Sequence, residues 1–200
     1  GTISQTALTL LINVSKELFN MQFESISNHA AADITALFTH VFSDADGAKA
    51  GLQIGELTER MLNDCTSEEL IGFVAKEHNT LFAAVLFSKL WISNQPNLTA
   101  MILSPMAVAS SQQGKGIGQA LINHALTYLK THHVDFVVTY GDPNFYSKTG
   151  FQAVADTVLI PPFLLSYPHG WQAVALGDKP LSELTGEVRC VLPLNQACYW

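Results

Sequence analysis

Residues 98–131 constrain the fold more than any other stretch. An apolar run over 98–109 (LTAMILSPMAVA) passes through the short segment Gln113-Gly114-Lys115-Gly116-Ile117-Gly118 into a helical pattern over 117–131. Ile117, Leu121, Ile122, Ala125, Leu126 and Leu129 recur at the spacing of one helix face. A strand that turns this tightly into an amphipathic helix needs partner strands and a sheet face for the helix, so the unit predicts an α/β domain. Pro105 lies inside the strand. Proline has no N–H for a ladder, so the strand must bulge or stop pairing there.

The remaining patterns extend this unit on both sides. Residues 21–27 read as a strand. Residues 29–45 and 52–63 read as helices, with Leu37, Val41 and Phe42 on one face of the first and Ile54, Leu57, Met61 and Leu62 marking the second, and Gly47 and Gly51 punctuate the join. Residues 70–77 and 81–92 are strands with a hairpin-like connection at Glu77–Thr80. Residues 134–140 (VDFVVTY) form a short buried strand. Asp142 then suits a helix N-cap, Pro143 the first helical position and Gly150 the C-terminal cap, which predicts a helix of about two turns. Residues 151–160 and 171–176 read as late strands, and the stretch after 180 carries no clear period. The order predicts an α/β (α+β) domain over 21–200, a central mixed, mainly antiparallel sheet flanked by helices.

Residues 1–20 stand apart as an N-terminal extension. Leu8, Leu11, Ile12, Leu18 and Phe19 give it the spacing of an amphipathic helix, suited to core packing or to a dimer contact. Thr9, Asn13 and Ser15 interrupt it and no basic stretch precedes it, which argues against a signal peptide.

Composition narrows the partners. Lys and Arg total 10 against 17 Asp and Glu, a formal charge of −7. Nucleic acid and anionic membrane surfaces both need a basic face, and no Lys/Arg run supplies one. The long-range field slightly favours cationic substrates. No apolar run is long enough to span a bilayer. Cys65, Cys190 and Cys198 fit no zinc spacing, and their odd number suits a reducing, cytoplasmic setting. Charged residues are only 14% of the chain, against an average of about 25%, which together with the N-terminal segment suggests a homodimer. No His pair has the spacing and acidic company of a metal site, and Gly-x-Ser-x-Gly is missing.

The glycine segment is the candidate chemistry. Glycines let a backbone approach an anion closely, successive amides point at its oxygens, and the N-terminus of the following helix adds positive potential. Gln119 stands where a dinucleotide fingerprint needs glycine, and the Gly-Lys-Ser/Thr ending of a nucleotide P-loop is absent.

Gln113-x-x-Gly116-x-Gly118, following a strand that ends in Met106-Ala107-Val108, resembles the acetyl-CoA pyrophosphate loop of the GNAT N-acetyltransferase superfamily. Tyr146, four residues before Gly150-Phe151, continues the likeness. The run from Val138 to Phe151 resembles the YhbS-type branch of that superfamily. The resemblance is specific over about residues 98–155.

It implies a sheet splayed between its fourth and fifth strands, and acetyl transfer from acetyl-CoA to a primary amine by direct attack. The amides of Gly114, Lys115, Gly116, Ile117 and Gly118 would hold the pyrophosphate. Met106, Ala107 and Val108 would align the pantetheine, with the amide of 107 or 108 polarising the thioester carbonyl. Asn144 and Phe145 would face the cofactor, and Tyr146 would protonate the departing thiolate. No metal is implied. Many members carry a general base on the fourth strand, but 98–110 contains no Asp, Glu or His. That leaves a water chain, Glu56, Glu59 or His78, and a substrate amine already partly neutral at working pH would relax the demand. The missing base also favours a second reading, a CoA-binding sensor or interaction module without catalysis. The acceptor is a small-molecule or protein amine.

Overall fold

The computed structural model describes residues 4–7, 9, 10, 13 and 20–200. The apolar stripe expected over 3–20 (Leu8, Leu11, Ile12, Leu18, Phe19) lies outside the described residues. From residue 22 the elements are β1 (Gln22–Ser25), α1 (Ala31–Asp46), α2 (Ala48–Asp64), β2 (Leu70–Glu77), β3 (Thr80–Ile92), β4 (Ala100–Val108), α3 (Ile117–Thr131), β5 (Phe136–Tyr140), α4 (Pro143–Tyr146), β6 (Gln152–Ala153), β7 (Leu159–Ile160), β8 (Trp171–Ala175) and β9 (Gly186–Arg189).

The sheet runs β1-β2-β3-β4-β5-β8-β6, with β9 joining β3 to β7 at one side. Pairing is antiparallel except for β4 with β5 and β7 with β9. The helices cover both faces. On one, Phe38, Leu57 and Met61 of the α1–α2 hairpin pack on Ala84, Leu86, Ala100 and Ile102. On the other, Leu121, Ile122 and Ala125 of α3 pack on Val85, Phe87, Met101 and Leu103. Alternate residues of β3 and β4 therefore feed two separate cores, as strands buried on both sides must.

Two expectations are corrected. Gly51 does not break the join between α1 and α2. Gly47, at φ +94°, makes the join alone, and α2 runs from Ala48 straight through Gly51. Gly51 is buried where the two helices touch: a Cβ there would overlap the Ser43 hydroxyl and lie 2.6 Å from the Thr39 carbonyl oxygen. The glycine permits close helix packing rather than a turn. Residues 151–160 are likewise not one strand. Ala155 O accepts from the N–H groups of Val158 and Leu159, at 3.0 and 3.1 Å, so the chain turns there. The two halves then pair with different partners, β6 with β8 and β7 with β9.

Candidate active site

β4 and β5 pair only from Ala100↔Phe136 to Leu103↔Thr139. Beyond that point β4 continues along β3 to Val108 while β5 ends at Tyr140, so the sheet opens into a V. The buried Thr139 hydroxyl donates to Leu103 O at 3.0 Å and closes the apex. The sequence explains the opening. Opposite Val85–Phe87, β4 carries one residue more than β3, because Leu103 and Met106 flank Ser104-Pro105. This bulge shifts the alternation by one: Met101 and Leu103 face α3, and after it Met106 and Val108 do so too. Pro105, preceded by a cis peptide, sits where a ladder donor is missing.

The glycine segment lies at the end of β4. Gly114 and Gly116 have φ of +76° and +81°, and Gly116 forms the N-cap of α3. A Cβ on either would meet nothing within 4 Å, so both face open space. The first intrahelical bond runs from Ala120 N–H to Gly116 O at 3.0 Å, leaving the preceding amides of the first turn without a helical carbonyl beneath them. Gln113 is committed differently from the glycines, since its side-chain amide donates to Val108 O at 3.0 Å and ties the loop to β4. Gly118 meets the far wall: a Cβ there would lie 3.0 Å from Phe145 Cζ and 3.1 Å from Val108 Cγ2.

Tyr146 approaches from the other arm of the V. Asp142 caps α4 by accepting from Asn144 N–H at 2.9 Å. Pro143 opens the helix, and Gly150, at φ +96°, ends the 3₁₀ turn that follows. The Tyr146 ring rests edge-on against Phe145 and Phe151, at 5.1 and 5.6 Å between centroids. Burial pushes its hydroxyl up to about 12; the Thr139 hydroxyl beside it pulls the other way and the Asp142 carboxylate adds to the rise. The phenol therefore holds its proton throughout the physiological range and lies near the apex of the V.

These parts open into one cleft of about 1000 Å³, at the upper end of the ~300–1,000 Å³ usual for small-molecule sites. Met106, Ala107, Val108, Gln113, Gly114, Gly116, Ile117, Gly118, Phe145 and Tyr146 line it; Lys115 and Asn144 do not. Glu56, Glu59 and His78 are exposed and also lie outside the lining. Asp46 and Asp142 are the lining carboxylates among the described residues.

Sequence reasoning missed a second wall. Phe42 of α1, Gln53, Ile54 and Leu57 of α2, Tyr140 at the end of β5, and Cys198 and Tyr199 also line the cleft. Ile54 and Leu57 carry the helical period and read simply as core. Tyr199 offers no pattern at all; it is placed by its neighbour Trp200, stacked on Tyr140 (6.2 Å, 14°) and set edge-on to Trp171 (5.9 Å, 70°). Trp200 Nε1–H also donates to Leu194 O at 2.9 Å, and the Tyr199 hydroxyl donates to Gln53 O at 3.4 Å. Burial raises the Tyr199 hydroxyl above its ordinary range, Cys198 and Glu56 add to this, and Arg60 opposes it. Among the described residues no group of three His, Cys, Asp or Glu could hold a metal, and no helix is long and apolar enough to cross a membrane.

A sheet parted between β4 and β5, with a glycine loop at the end of β4, is the architecture of the GNAT acetyltransferases. Residues 68–153 match the acetyltransferase (GNAT) domain family. The matched stretch runs from β2 to β6 and includes the glycine loop and Tyr146. It is 26% identical over 167 residues to the uncharacterized N-acetyltransferase YjhQ of Escherichia coli K12, covering 82% of this chain and 88% of that protein. The fold is similar to that of the E. coli GNAT N-acetyltransferase YhbS, solved in complex with CoA. The TM-score is 0.75 at 24% identity, covering 88% of this chain and 93% of that one. A Brucella melitensis GNAT acetyltransferase solved with acetyl-CoA is similar with a TM-score of 0.66 at 22% identity, covering 87% and 97%.

Proposed function

We propose that this N-acetyltransferase binds acetyl-CoA on the α3 side of the cleft and transfers the acetyl group directly to an amine entering from the α1–α2 side. One observation carries the reading. The glycine loop and the protonated Tyr146 phenol open into the same cleft, at a gap in the sheet that reaches both faces. The acetyl-CoA complex of the Brucella relative and the CoA complex of YhbS support the choice of donor.

The fit to the donor rests on this chain's own geometry. Two positive-φ glycines facing open space, followed by free amides of a helix N-terminus, form an anion cradle. In this reading the amides of Gly114, Lys115, Gly116, Ile117 and Gly118 receive the pyrophosphate. Gln113 acts as a positioning residue, holding the loop to Val108. The edge of β4 over Met106–Val108, left free by the bulge, pairs with the pantetheine, and Phe145 flanks it, with Asn144 nearby. An amide at 107 or 108 polarises the thioester carbonyl. Bound acetyl-CoA supplies an activated acyl group. Tyr146 holds a proton for the leaving sulfur, and the apolar rings around it keep water away.

Residues 21–200 form the acyltransferase domain, with 1–20 as an extension. Three free cysteines support a cytoplasmic setting; burial raises Cys65 and Cys190 to about 11, so they carry little thiolate. Leu52, Leu164 and Leu192, 69%, 92% and 77% exposed, support a homodimer. The test is release of free CoA thiol from acetyl-CoA with a panel of amines. Tyr146→Phe should lower kcat by about 10²-fold or more, as loss of a general acid does, without weakening acetyl-CoA binding. An unchanged kcat removes Tyr146 from the chemistry, and binding without turnover of any amine favours the sensor reading.

A further inference from the structure

The two mouths of the cleft differ chemically. On the α3 side are the glycine loop, Met106, Val108, Phe145 and Tyr146, packed with the Leu121–Ala125 core. On the opposite face Phe42, Ile54, Leu57, Tyr140 and Tyr199 pack with the Phe38–Ile102–Trp171 core. This second mouth is lined by aliphatic and aromatic groups, with the Gln53 side chain, the Cys198 thiol and tyrosine hydroxyls as its polar side chains. The Tyr140 hydroxyl is engaged with Ser166 Oγ at 2.9 Å and accepts from Tyr167 N–H at 2.6 Å.

Two carboxylates line the cleft. Asp142 caps α4 on the Tyr146 side. Asp46 ends α1, and the neighbouring Asp44 carboxylate accepts from the Ser110 hydroxyl at 3.3 Å, which sets that end of the helix beside the turn leading into the glycine loop. Asp46 follows Phe42 by four residues, one helical turn or about 6 Å along α1, and so stands at the rim of the second mouth on the glycine-loop side. Glu56 and Arg60 of α2 act on Tyr199 from outside the lining. Phe42, Ile54, Leu57, Tyr140 and Tyr199 thus bring no carboxylate of their own to pair with an ammonium group or to deprotonate one, and the Asp46 carboxylate stands at the rim rather than among them.

Resting on the donor reading above, we propose that the acceptor is a weakly basic primary amine on an apolar or aromatic body. The body lies against Phe42, Ile54, Leu57 and Tyr199, and the amine enters as its free base. A lysine-type ammonium, with a pKa near ~10.4, would lose hydration there without compensation. An α-amino group, near ~7.7–8.0, or a less basic arylamine is largely neutral around neutrality. The step then balances without an enzyme base. The amine nitrogen forms a bond to the acyl carbon, and the C–S bond breaks with its electron pair going to sulfur. Sulfur gains a proton from Tyr146, and nitrogen loses one to water, from which the phenol is restored. The field of the −7 chain favours cations at a distance, but the local lining decides what is held.

The test measures kcat/KM against pH at saturating acetyl-CoA for aniline, phenylalanine amide, a peptide with an N-terminal Phe, Nα-acetyl-lysine amide and spermidine. Calorimetry of acetyl-CoA binding runs in parallel. The midpoint of the rising limb should move with the pKa of the acceptor, and the weakly basic amines should be preferred at pH 7 by about tenfold or more. The free amines and the peptide separate a small-molecule from a protein source. Tyr199→Ala should raise KM for the apolar amines about tenfold with acetyl-CoA affinity unchanged, whereas Tyr199→Phe keeps the ring and the low KM. Glu56→Gln should leave the midpoint in place. A midpoint that ignores the acceptor, a preference for lysine or spermidine, no turnover of any weakly basic amine despite donor binding, or a collapse of rate in Glu56→Gln overturns the assignment. Absence of acetyl-CoA binding by the folded protein overturns the donor reading, and this one with it.

Discussion

Gly141→Ala displaces the Tyr146 ring while leaving residue 146 itself unchanged. Gly141 lies between the end of β5 and the Asp142 cap, and a Cβ on it would lie 2.7 Å from Tyr146 Cε2 and 3.4 Å from Cδ2. Ordinary carbon–carbon contact is about 3.5–4.0 Å, so one partner must retreat by roughly 1 Å. The backbone is held: Gly141 N–H donates to Gly170 O at 3.0 Å, and Gln172 Nε2 donates to Gly141 O at 3.2 Å. The glycine is not in the left-handed region, so alanine brings no backbone strain of its own. The ring is therefore what moves, against Phe145 and Phe151. Overpacking of this kind costs about 1–3 kcal/mol, and at this chain length each kcal/mol lowers Tm by roughly 2–4 °C. A reacting group misplaced by about 1 Å costs about 10²-fold in rate. The variant should melt several degrees lower, bind acetyl-CoA as the parent does, and lose about two orders of magnitude in kcat, read as CoA thiol release at saturating donor. A lowered Tm with kcat within about twofold of the parent would show that the placement of the phenol does not matter, and would refute the reasoning.

Two further predictions concern stability. Gly51→Ala gains about 1 kcal/mol of helix propensity but drives a methyl into Ser43 and the Thr39 carbonyl, so thermal melting should show a net loss; an unchanged or raised Tm contradicts the packing account. Asp135 is raised by burial, but the Thr99 N–H at 2.9 Å and Lys179 Nζ at 2.9 Å outweigh this and hold its carboxyl below the usual range. A depressed folded pKa contributes stability that is complete above the unfolded value near ~3.9 and is lost as pH falls through the folded one. Urea midpoints should therefore show Asp135→Asn weaker than the parent at pH 7, with the gap closing in acid; a gap that is constant with pH refutes the linkage.

The glycine-loop side of the cleft was legible in the sequence because its backbone constraints are local. Gly114 and Gly116 announce positive φ, Pro105 announces the bulge, and Asp142-Pro143 with Gly150 brackets the short helix. Each is a backbone constraint readable within a few residues. The second wall was not, because it depends on contacts between distant segments. Ile54 and Leu57 obey a helical period whether they face a core or a cleft. Tyr199 reaches the site through its hydrogen bond to Gln53 O and the stacking of Trp200 on Tyr140, partners far earlier in the chain. Gly51 misled for the same reason: a glycine that admits a neighbouring helix looks, in sequence, like one that ends its own.

The most direct test of the central claim is calorimetric titration of acetyl-CoA into the native protein and Gly116→Trp. Gly116 faces open space at the head of α3, so an indole there fills the cradle without entering the core. Micromolar binding by the native protein that is abolished in a folded variant places the donor on residues 113–118. Equal binding by the two, or none by the folded native protein, would contradict the assignment of the glycine loop as the acetyl-CoA site.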